Sequence, residues 1–288
     1  MMHRSLLLAT VVLAVRAVPA PAQTTWDSVA TILRAPDAFA GGYHRYALPR
    51  RDITLRVGDI TVAAALALGT WVGFSGEPTD ATMMGDLVLT AAELKPVLAE
   101  LARREIGVTA VHNHLAGETP QITYVHYHAD GPAIALARRL DQVLARTATP
   151  RPVAAAVPGP ISIDTALVFG TLGRSGRAQG AVAQVSFVLV PGAVTLGGRT
   201  LNPPMAYGSP VNVQQVGPDR AVATGDFAVT GDKVSGLLAA LAAHGVTATA
   251  VHTHLIDETP RLYYIHFWAD GPLAAVLQGV KAALDAAH

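Results

Sequence analysis

One histidine-rich stretch occurs twice in this chain, and the duplication constrains the fold more than any other feature. The copies cover residues 111–132 and 251–272 and align without a gap at an offset of 140 positions. Both read Val-His-x-His-Leu-x-x-Glu-Thr-Pro and then Tyr-x-His-x-x-Ala-Asp-Gly-Pro. Seven of the eleven histidines lie in these stretches. We therefore expect two similar structural units whose histidines carry the chemistry.

The bulk composition allows a large core and excludes several kinds of partner. At 288 residues and 51% hydrophobic content, the chain can form one large or two medium domains. Lys+Arg and Asp+Glu both number 21, so no charge excess favours nucleic acid or an anionic membrane surface. Cysteine is absent, which excludes disulfides, thiolate metal ligands and cysteine nucleophiles.

The first 22 residues have the pattern of a cleavable signal peptide. His3 and Arg4 give a basic start, residues 6–15 are apolar, and an Ala-x-Ala cleavage site ends at Ala22. The apolar run is too short to span a bilayer. We expect a secreted or periplasmic protein, cleaved after Ala22, with no stable membrane anchor in its mature form.

Helix signals recur in both halves of the chain. Thr90 and Glu93 form a capping box that predicts a helix start, and Thr230 with Lys233 keeps half of it. A proline follows each histidine-rich stretch and suits the first position of another helix. The proline-rich residues 151–160 predict a linker between repeat 1 at residues 23–150 and repeat 2 at residues 161–288.

The order of elements predicts an α+β fold. Each half contains a βαββα core, in which the histidine-rich stretch supplies the second and third strands. This order suggests an antiparallel sheet with helices on one face. We predict two tandem repeats of this kind, related by a pseudo-two-fold axis.

The strand register decides where the histidines point. Alternate residues of a strand lie on the same face of the sheet. His112 therefore shares a face with His114, and His126 shares a face with His128. Directly opposite residues of two antiparallel strands point to the same side of the sheet. If the residue numbers of such a pair add up to an even value, the two histidines of each strand all lie on one face. An odd sum would turn imidazoles toward the helices, so we predict the even register.

Several imidazoles and a carboxylate on one face would suit Zn²⁺, Mn²⁺ or Fe²⁺. The predicted metal ligands are His112, His114 and His126 in repeat 1, and His252, His254 and His266 in repeat 2. Glu118 and Glu258 are each predicted to be a ligand or a general base, and His128 an auxiliary acid or base. The leading hypothesis is a protein that binds a divalent metal. Because a metal-bound water can act as a nucleophile at neutral pH, a metal-dependent hydrolase is the more specific form of this hypothesis.

Two other interpretations remain open. The face with Tyr124, Tyr264 and Trp268 could bind a cell-wall glycan or another small ligand without a metal. The histidine faces could also form the interface between the repeats. Asp86 and Asp226 each follow a glycine. They could be carboxylates that support the histidine ligands, but we expect the Gly-Asp pairs to serve in turns.

The doubled motifs resemble the bacterial LppY/LpqO family. The resemblance rests on Gly-Asp-Leu/Phe-x-Leu/Val-Thr, Ala-Val-His-x-His-Leu-x-x-Glu-Thr-Pro and Tyr-x-His-x-x-Ala-Asp-Gly, and it covers nearly all of the chain after residue 22. It implies an exported protein built from a duplicated domain of unknown function, and it implies no reaction. The chain lacks the lipid-anchor cysteine of the lipoprotein members, which favours a soluble form.

Overall fold

The computed structural model describes residues 24–154 and 159–288. The predicted signal peptide lies outside the described residues, as does part of the predicted linker. No helix within the described ranges is long and apolar enough to cross a membrane.

The described part of repeat 1 contains four helices and nine strands. In chain order its elements are α1 (Thr25–Leu33), β1 (Asp37–Ala40), β2 (Tyr43–Pro49), β3 (Leu55–Val57), β4 (Ile60–Val62), α2 (Ala64–Ala67), β5 (Gly69–Glu77), β6 (Asp80–Thr90), α3 (Ala91–Arg103), β7 (Gly107–His112), β8 (Glu118–Thr119), β9 (Ile122–Gly131) and α4 (Ala133–Leu144).

Repeat 2 follows nearly the same order. Its elements are α5 (Thr165–Leu172), β10 (Arg177–Gln179), β11 (Val182–Phe187), β12 (Thr195–Leu196), β13 (Arg199–Thr200), α6 (Pro203–Ala206), β14 (Ser209–Gly217), β15 (Arg220–Thr230), α7 (Gly231–Ala243), β16 (Thr247–His252), β17 (Leu262–Gly271) and α8 (Leu273–Ala287).

Each repeat contains an antiparallel sheet, as predicted, and this sheet has six strands. The strand orders are β1-β2-β5-β6-β9-β7 and β10-β11-β14-β15-β17-β16, which are the same topology. The βαββα core comprises β6, α3, β7, β9 and α4 in repeat 1, and β15, α7, β16, β17 and α8 in repeat 2. The long helices cover one face of each sheet and form a separate apolar core with it. The predicted α+β fold with two related repeats is confirmed.

The capping box behaves as predicted at the start of α3. The Glu93 carboxylate accepts from the backbone N–H of Thr90 at 2.8 Å. Glu93 also pairs with the buried Arg50, whose guanidinium donates to Glu93 at 2.8 Å. At the start of α7 the Thr230 hydroxyl instead donates to Asp232 over a short contact, and no capping box forms. Pro96 lies inside α3 without ending it.

The other faces of the two sheets pack against each other. One shared apolar cluster combines Met84 of repeat 1 with Ala228 and Tyr264 of repeat 2, and a second combines Val88 with Val222. Side-chain amides of repeat 2 also form hydrogen bonds with backbone groups of repeat 1. These hydrogen bonds include Gln214 with Ala63 and Thr61, Gln184 with Ala65, and Asn212 with Leu66. The molecule is therefore layered as helices, sheet, sheet and helices.

The expected turn role of the two Gly-Asp pairs is wrong. Asp86 lies in the middle of β6 and Asp226 in the middle of β15. Glycine precedes each because a Cβ on Gly85 would lie 2.3 Å from the Trp71 carbonyl oxygen, and one on Gly225 would lie 2.0 Å from that of Pro210. The glycines permit close strand contact, and both aspartates point into the space between the sheets.

Candidate metal centre between the repeats

The even register predicted for the histidine-bearing strands is confirmed. His112 lies opposite Tyr124 on β9, and His252 lies opposite Tyr264 on β17. A bulge after Val108, and its counterpart after Ala248, shifts the pairing farther along each strand. The histidines consequently face away from the helices and toward the partner sheet.

Six histidines from both repeats form one cluster between the sheets. The sequence predicted one separate set of histidines in each repeat, whereas in the structure histidines of one repeat contact histidines of the other. The ring centroids of His126 and His254 are 3.7 Å apart, and those of His114 and His266 are also 3.7 Å apart. The cluster consists of His112, His114, His126, His252, His254 and His266. Their assignment as metal ligands stays a prediction, but their proximity across the repeats is a finding.

Two sets of donor atoms in this cluster could hold a metal ion. His112, His252, His254 and His266 each offer one nitrogen, and these four atoms lie within 4.8 Å of one another. His114, Asp226 and His266 form a second set by the same measure. His266 is fully buried and belongs to both sets.

Hydrogen bonds to the backbone set the tautomers of two rings. Nδ1 of His112 lies 3.2 Å from the carbonyl oxygen of Asn113, and Nδ1 of His252 lies 3.1 Å from that of Thr253. A carbonyl only accepts, so Nδ1 carries the proton in both neutral rings. Nε2 of each ring is left with a lone pair that points into the cluster.

The tautomer of His266 follows from its neighbours in the same way. Its Nδ1 lies 2.7 Å from Oδ1 of Asp226, a close contact that is not aligned as a hydrogen bond. It also lies 3.3 Å from the carbonyl oxygen of Gly225. Both neighbours are acceptors, so Nδ1 carries a proton, and in the neutral ring Nε2 then carries a lone pair. Asp226 also lies 3.5 Å from Nδ1 of His114.

Several buried polar atoms of the cluster lack a hydrogen-bond partner. They are Nε2 of His112, His126 and His254, and Oδ1 of Asp86 and Asp226. Buried polar atoms are usually paired, so such a concentration marks a place where a ligand or ion is expected.

Burial favours the neutral form of five of the imidazoles. Desolvation, and then the charge of neighbouring imidazoles, lowers the pKa of His252 to about 4. The same two causes lower the pKa of His112, His114, His126 and His254 further. Desolvation, followed by the charge of Asp226, raises the pKa of Asp86 well above its usual value. Neutral imidazole is the form that binds metals.

The other predicted site residues have partners outside the cluster. The Glu258 carboxylate is buried and accepts from the backbone N–H of Leu262 at 2.8 Å and from Arg261 at 3.4 Å. Glu118 lies in the short strand β8, opposite Val57. His128 lies 3.3 Å from a carboxylate oxygen of Asp130. Their predicted catalytic roles stay predictions.

Asp86 and Asp226, for which we expected a turn role, are residues of the site. Asp86 lies directly opposite His126 on the neighbouring strand, and Asp226 directly opposite His266. The signal that could have found them is the repetition of Gly-Asp at the same distance before each histidine pair.

A family model described as Domain of Unknown Function (DUF1259) matches the chain twice, at residues 27–146 and 167–286. No curated protein sequence matches the chain.

Solved structures resemble the chain only at a low level, as three examples show. They are the fused permuted hexameric shell protein MSM0275 from the RMM microcompartment (15% identity, 73% of this chain and 85% of that chain, TM-score 0.19), EtuB from Clostridium kluyveri (14%, 87% and 89%, 0.22) and the trimeric bacterial microcompartment shell protein PduB (12%, 88% and 90%, 0.23). Scores this low carry no argument about fold or function.

Proposed function

The chain belongs to the Domain of Unknown Function (DUF1259) family, and we propose that it binds a divalent transition-metal ion at a site shared between its two repeats. The proposed ligands are His112 from repeat 1 and His252, His254 and His266 from repeat 2. One ion would thus join the two sheets.

The contact between His252 and His266 carries this proposal. Their Nε2 atoms lie 2.6 Å apart, and the neighbours of both rings place the protons on Nδ1. When both rings are neutral, two lone pairs face each other at this distance, and a metal ion bound to both nitrogens would remove their repulsion. Two nitrogens bound to one tetrahedral Zn²⁺ are about 3.3 Å apart, so we expect the rings to separate slightly when the metal binds.

The remaining nitrogens and the surrounding groups fit such an ion. Nε2 of His112 and Nε2 of His254 are buried without a hydrogen-bond partner. Ligating histidines commonly donate their other N–H to a carbonyl or carboxylate, which fixes the ring. His112 and His252 have this arrangement with backbone carbonyls, and His266 has it with Gly225 beside Asp226.

The identity of the metal would decide the chemistry. Four imidazoles complete the tetrahedral shell of Zn²⁺, which is typical of a structural site. A six-coordinate Mn²⁺ or Fe²⁺ would keep positions for water, and the hydrolase hypothesis belongs to that case. Tyr124 and Tyr264 are buried, with their hydroxyls donating to the carbonyls of Ala67 and Ala206. The glycan-binding alternative needs exposed rings, whereas Trp268 is also partly buried and packs against an apolar cluster.

We also propose that the protein acts outside the cytoplasm as a member of the LppY/LpqO group, with a small molecule as its partner. The signal-peptide pattern and the doubled motifs of the sequence support this part of the proposal. Secretion of the full chain, followed by amino-terminal sequencing of the exported form, tests it. Retention of residues 1–22 in the exported protein would contradict it.

Metal content tests the metal site. We would purify the protein without a polyhistidine tag and measure bound metals by mass spectrometry before and after chelation. We expect Zn, Mn or Fe in the wild type and its loss in the double variant His252→Ala/His266→Ala. His244→Ala, an exposed histidine at the end of α7, is the matched control and should retain the metal. A wild type without metal, and without a thermal shift on adding any of these ions, would overturn the proposal.

A further inference from the structure

The two repeats differ at one equivalent pair of residues. In repeat 2, Nδ1 of His266 lies 2.7 Å from Oδ1 of Asp226. In repeat 1, the nearest approach of His126 to Asp86 is 3.9 Å, between Nε2 and Oδ1. Strand pairing places these residues equivalently, so the difference lies in the side chains. We call His266 and Asp226 in repeat 2 the closed pair, and His126 and Asp86 in repeat 1 the open pair.

The open pair has room for a cation. A separation of 3.9 Å is too long for a hydrogen bond, and both atoms are buried without a hydrogen-bond partner. Metal bonds to histidine nitrogen and carboxylate oxygen are about 2.0–2.2 Å long. One ion can therefore contact both atoms with little movement of either residue.

The charges around the open pair favour a cation. Asp86 is 6% exposed, and its carboxylate faces the imidazole cluster. Within residues 24–154 and 159–288, no lysine or arginine nitrogen lies within 4.0 Å of Asp86 or Asp226, and only histidines do. The positive charge of Arg45 acts on Asp86 from a greater distance. A buried carboxylate with no cationic side chain in contact with it is costly, and a divalent ion bound to Asp86 would compensate its charge.

The open pair adjoins the four-imidazole site. The His254 ring stacks on the His126 ring with centroids 3.7 Å apart and an interplanar angle of 25°. His254 also belongs to the four-nitrogen set. One ring therefore touches both positions.

We propose that a second divalent cation binds between Nε2 of His126 and Oδ1 of Asp86, beside the four-imidazole site. This inference rests on the proposed function and makes the centre dinuclear. The two positions are unlike, since one is all-nitrogen and the other is mixed nitrogen and oxygen. Carboxylate oxygen suits Mn²⁺ better than the all-imidazole position does, so the two positions should differ in metal preference. Asp226 would act as a positioning residue for His266 rather than as a ligand.

Titration of metal-free protein with Co²⁺ tests the stoichiometry directly. We expect visible absorption to grow until about two equivalents have been added, with a change of spectrum after the first. If absorption stops growing at one equivalent of Co²⁺, the second metal position is overturned and the proposed function remains. This is the result expected if only a water molecule bridges His126 and Asp86. No absorption change and no bound metal would overturn both.

The aspartate of each repeat provides a matched pair of variants. Asp86→Asn should bind one equivalent, because it loses the anionic ligand at nearly constant volume. Asp226→Asn should retain two, with affinity at the four-imidazole site reduced about 10–100-fold. Circular dichroism would confirm that both variants fold. Two equivalents in Asp86→Asn, or equal losses in the two variants, would overturn the inference.

Discussion

The imidazole rings of His112 and His252 stack with their centroids 3.9 Å apart. They occupy the same position in the two repeats, 140 residues apart in the chain, so the pseudo-two-fold axis passes between them. The axis also relates the stacked pair His126–His254 to the pair His114–His266. Duplication thus produces one shared cluster because the repeats pack through their histidine faces.

Metal binding should depend on ligands from both repeats. We expect Zn²⁺ at a free concentration 100 times its Kd to stabilise the protein by about 2.7 kcal/mol. For a chain of this size that corresponds to roughly 5–10 °C in melting temperature. His112→Ala should remove most of this shift although three ligands remain in repeat 2. His128→Ala, a histidine of the same motif outside the cluster, should keep it. Equal shifts in both variants would contradict a shared site.

The metal-free protein should lose stability in mild acid. The unfolded chain protonates histidine near pH 6.5, whereas burial lowers the folded pKa of His252 to about 4. The folded state therefore binds fewer protons between these values, and stability falls as the pH falls from about 6.5 through about 4. Urea unfolding in chelator between pH 7.5 and 4.5 measures this effect. The slope should be smaller in His252→Gln, and a flat wild-type profile would contradict the buried neutral cluster.

Arg50 should be essential to repeat 1. Its side chain is 1% exposed and contacts Asp52 and Glu93 at 2.8 Å each. Arg50→Met leaves Glu93 without its buried cation and should cost about 3–5 kcal/mol of unfolding free energy. Arg199→Met, which removes a more exposed pair with Asp80, should cost about 0–1 kcal/mol. Denaturant titration compares them, and similar losses would show that the Arg50 network adds little.

Gly225 should not tolerate a side chain. A Cβ there would lie 2.0 Å from the Pro210 carbonyl oxygen, so Gly225→Ala must push β14 and β15 apart. We expect a loss of at least about 1–3 kcal/mol and weaker metal binding, because Asp226 follows directly. Gly236→Ala is the control, since it lies in α7 with open space around its Cβ position. It should stabilise the protein by about 0.4–1 kcal/mol. Unchanged stability in Gly225→Ala would show that the strands can adjust.

Local patterns made much of the fold predictable. The Thr90–Glu93 capping box, the apolar periodicity of the helices and the alternation of the strands specify elements that depend on near neighbours. The even register followed from a burial argument alone, because the odd register would place imidazoles among the helices. It is confirmed in both repeats by the pairs His112–Tyr124 and His252–Tyr264.

The partners of the histidines were not predictable in the same way. His126 contacts His254, and His114 contacts His266, only because two sheets pack face to face. The sequence left open that the histidine faces form the interface between the repeats, but it did not indicate which histidine of one repeat contacts which histidine of the other. The Gly-Asp pairs were assigned to turns for a related reason, since the steric need for glycine arises from the neighbouring strands Gly69–Glu77 and Ser209–Gly217.

The sequence by itself determined the duplication, the antiparallel α+β repeat and the concentration of histidines on one face of each sheet. These properties follow from local propensity and from the period-two pattern of a half-buried strand. The tertiary structure decided that the two faces meet, that Asp86 and Asp226 join the histidines, and that the Asp86–His126 pair is open while the Asp226–His266 pair is closed. The physical reason is that these features depend on packing between strands and between sheets, which brings together residues far apart in the chain.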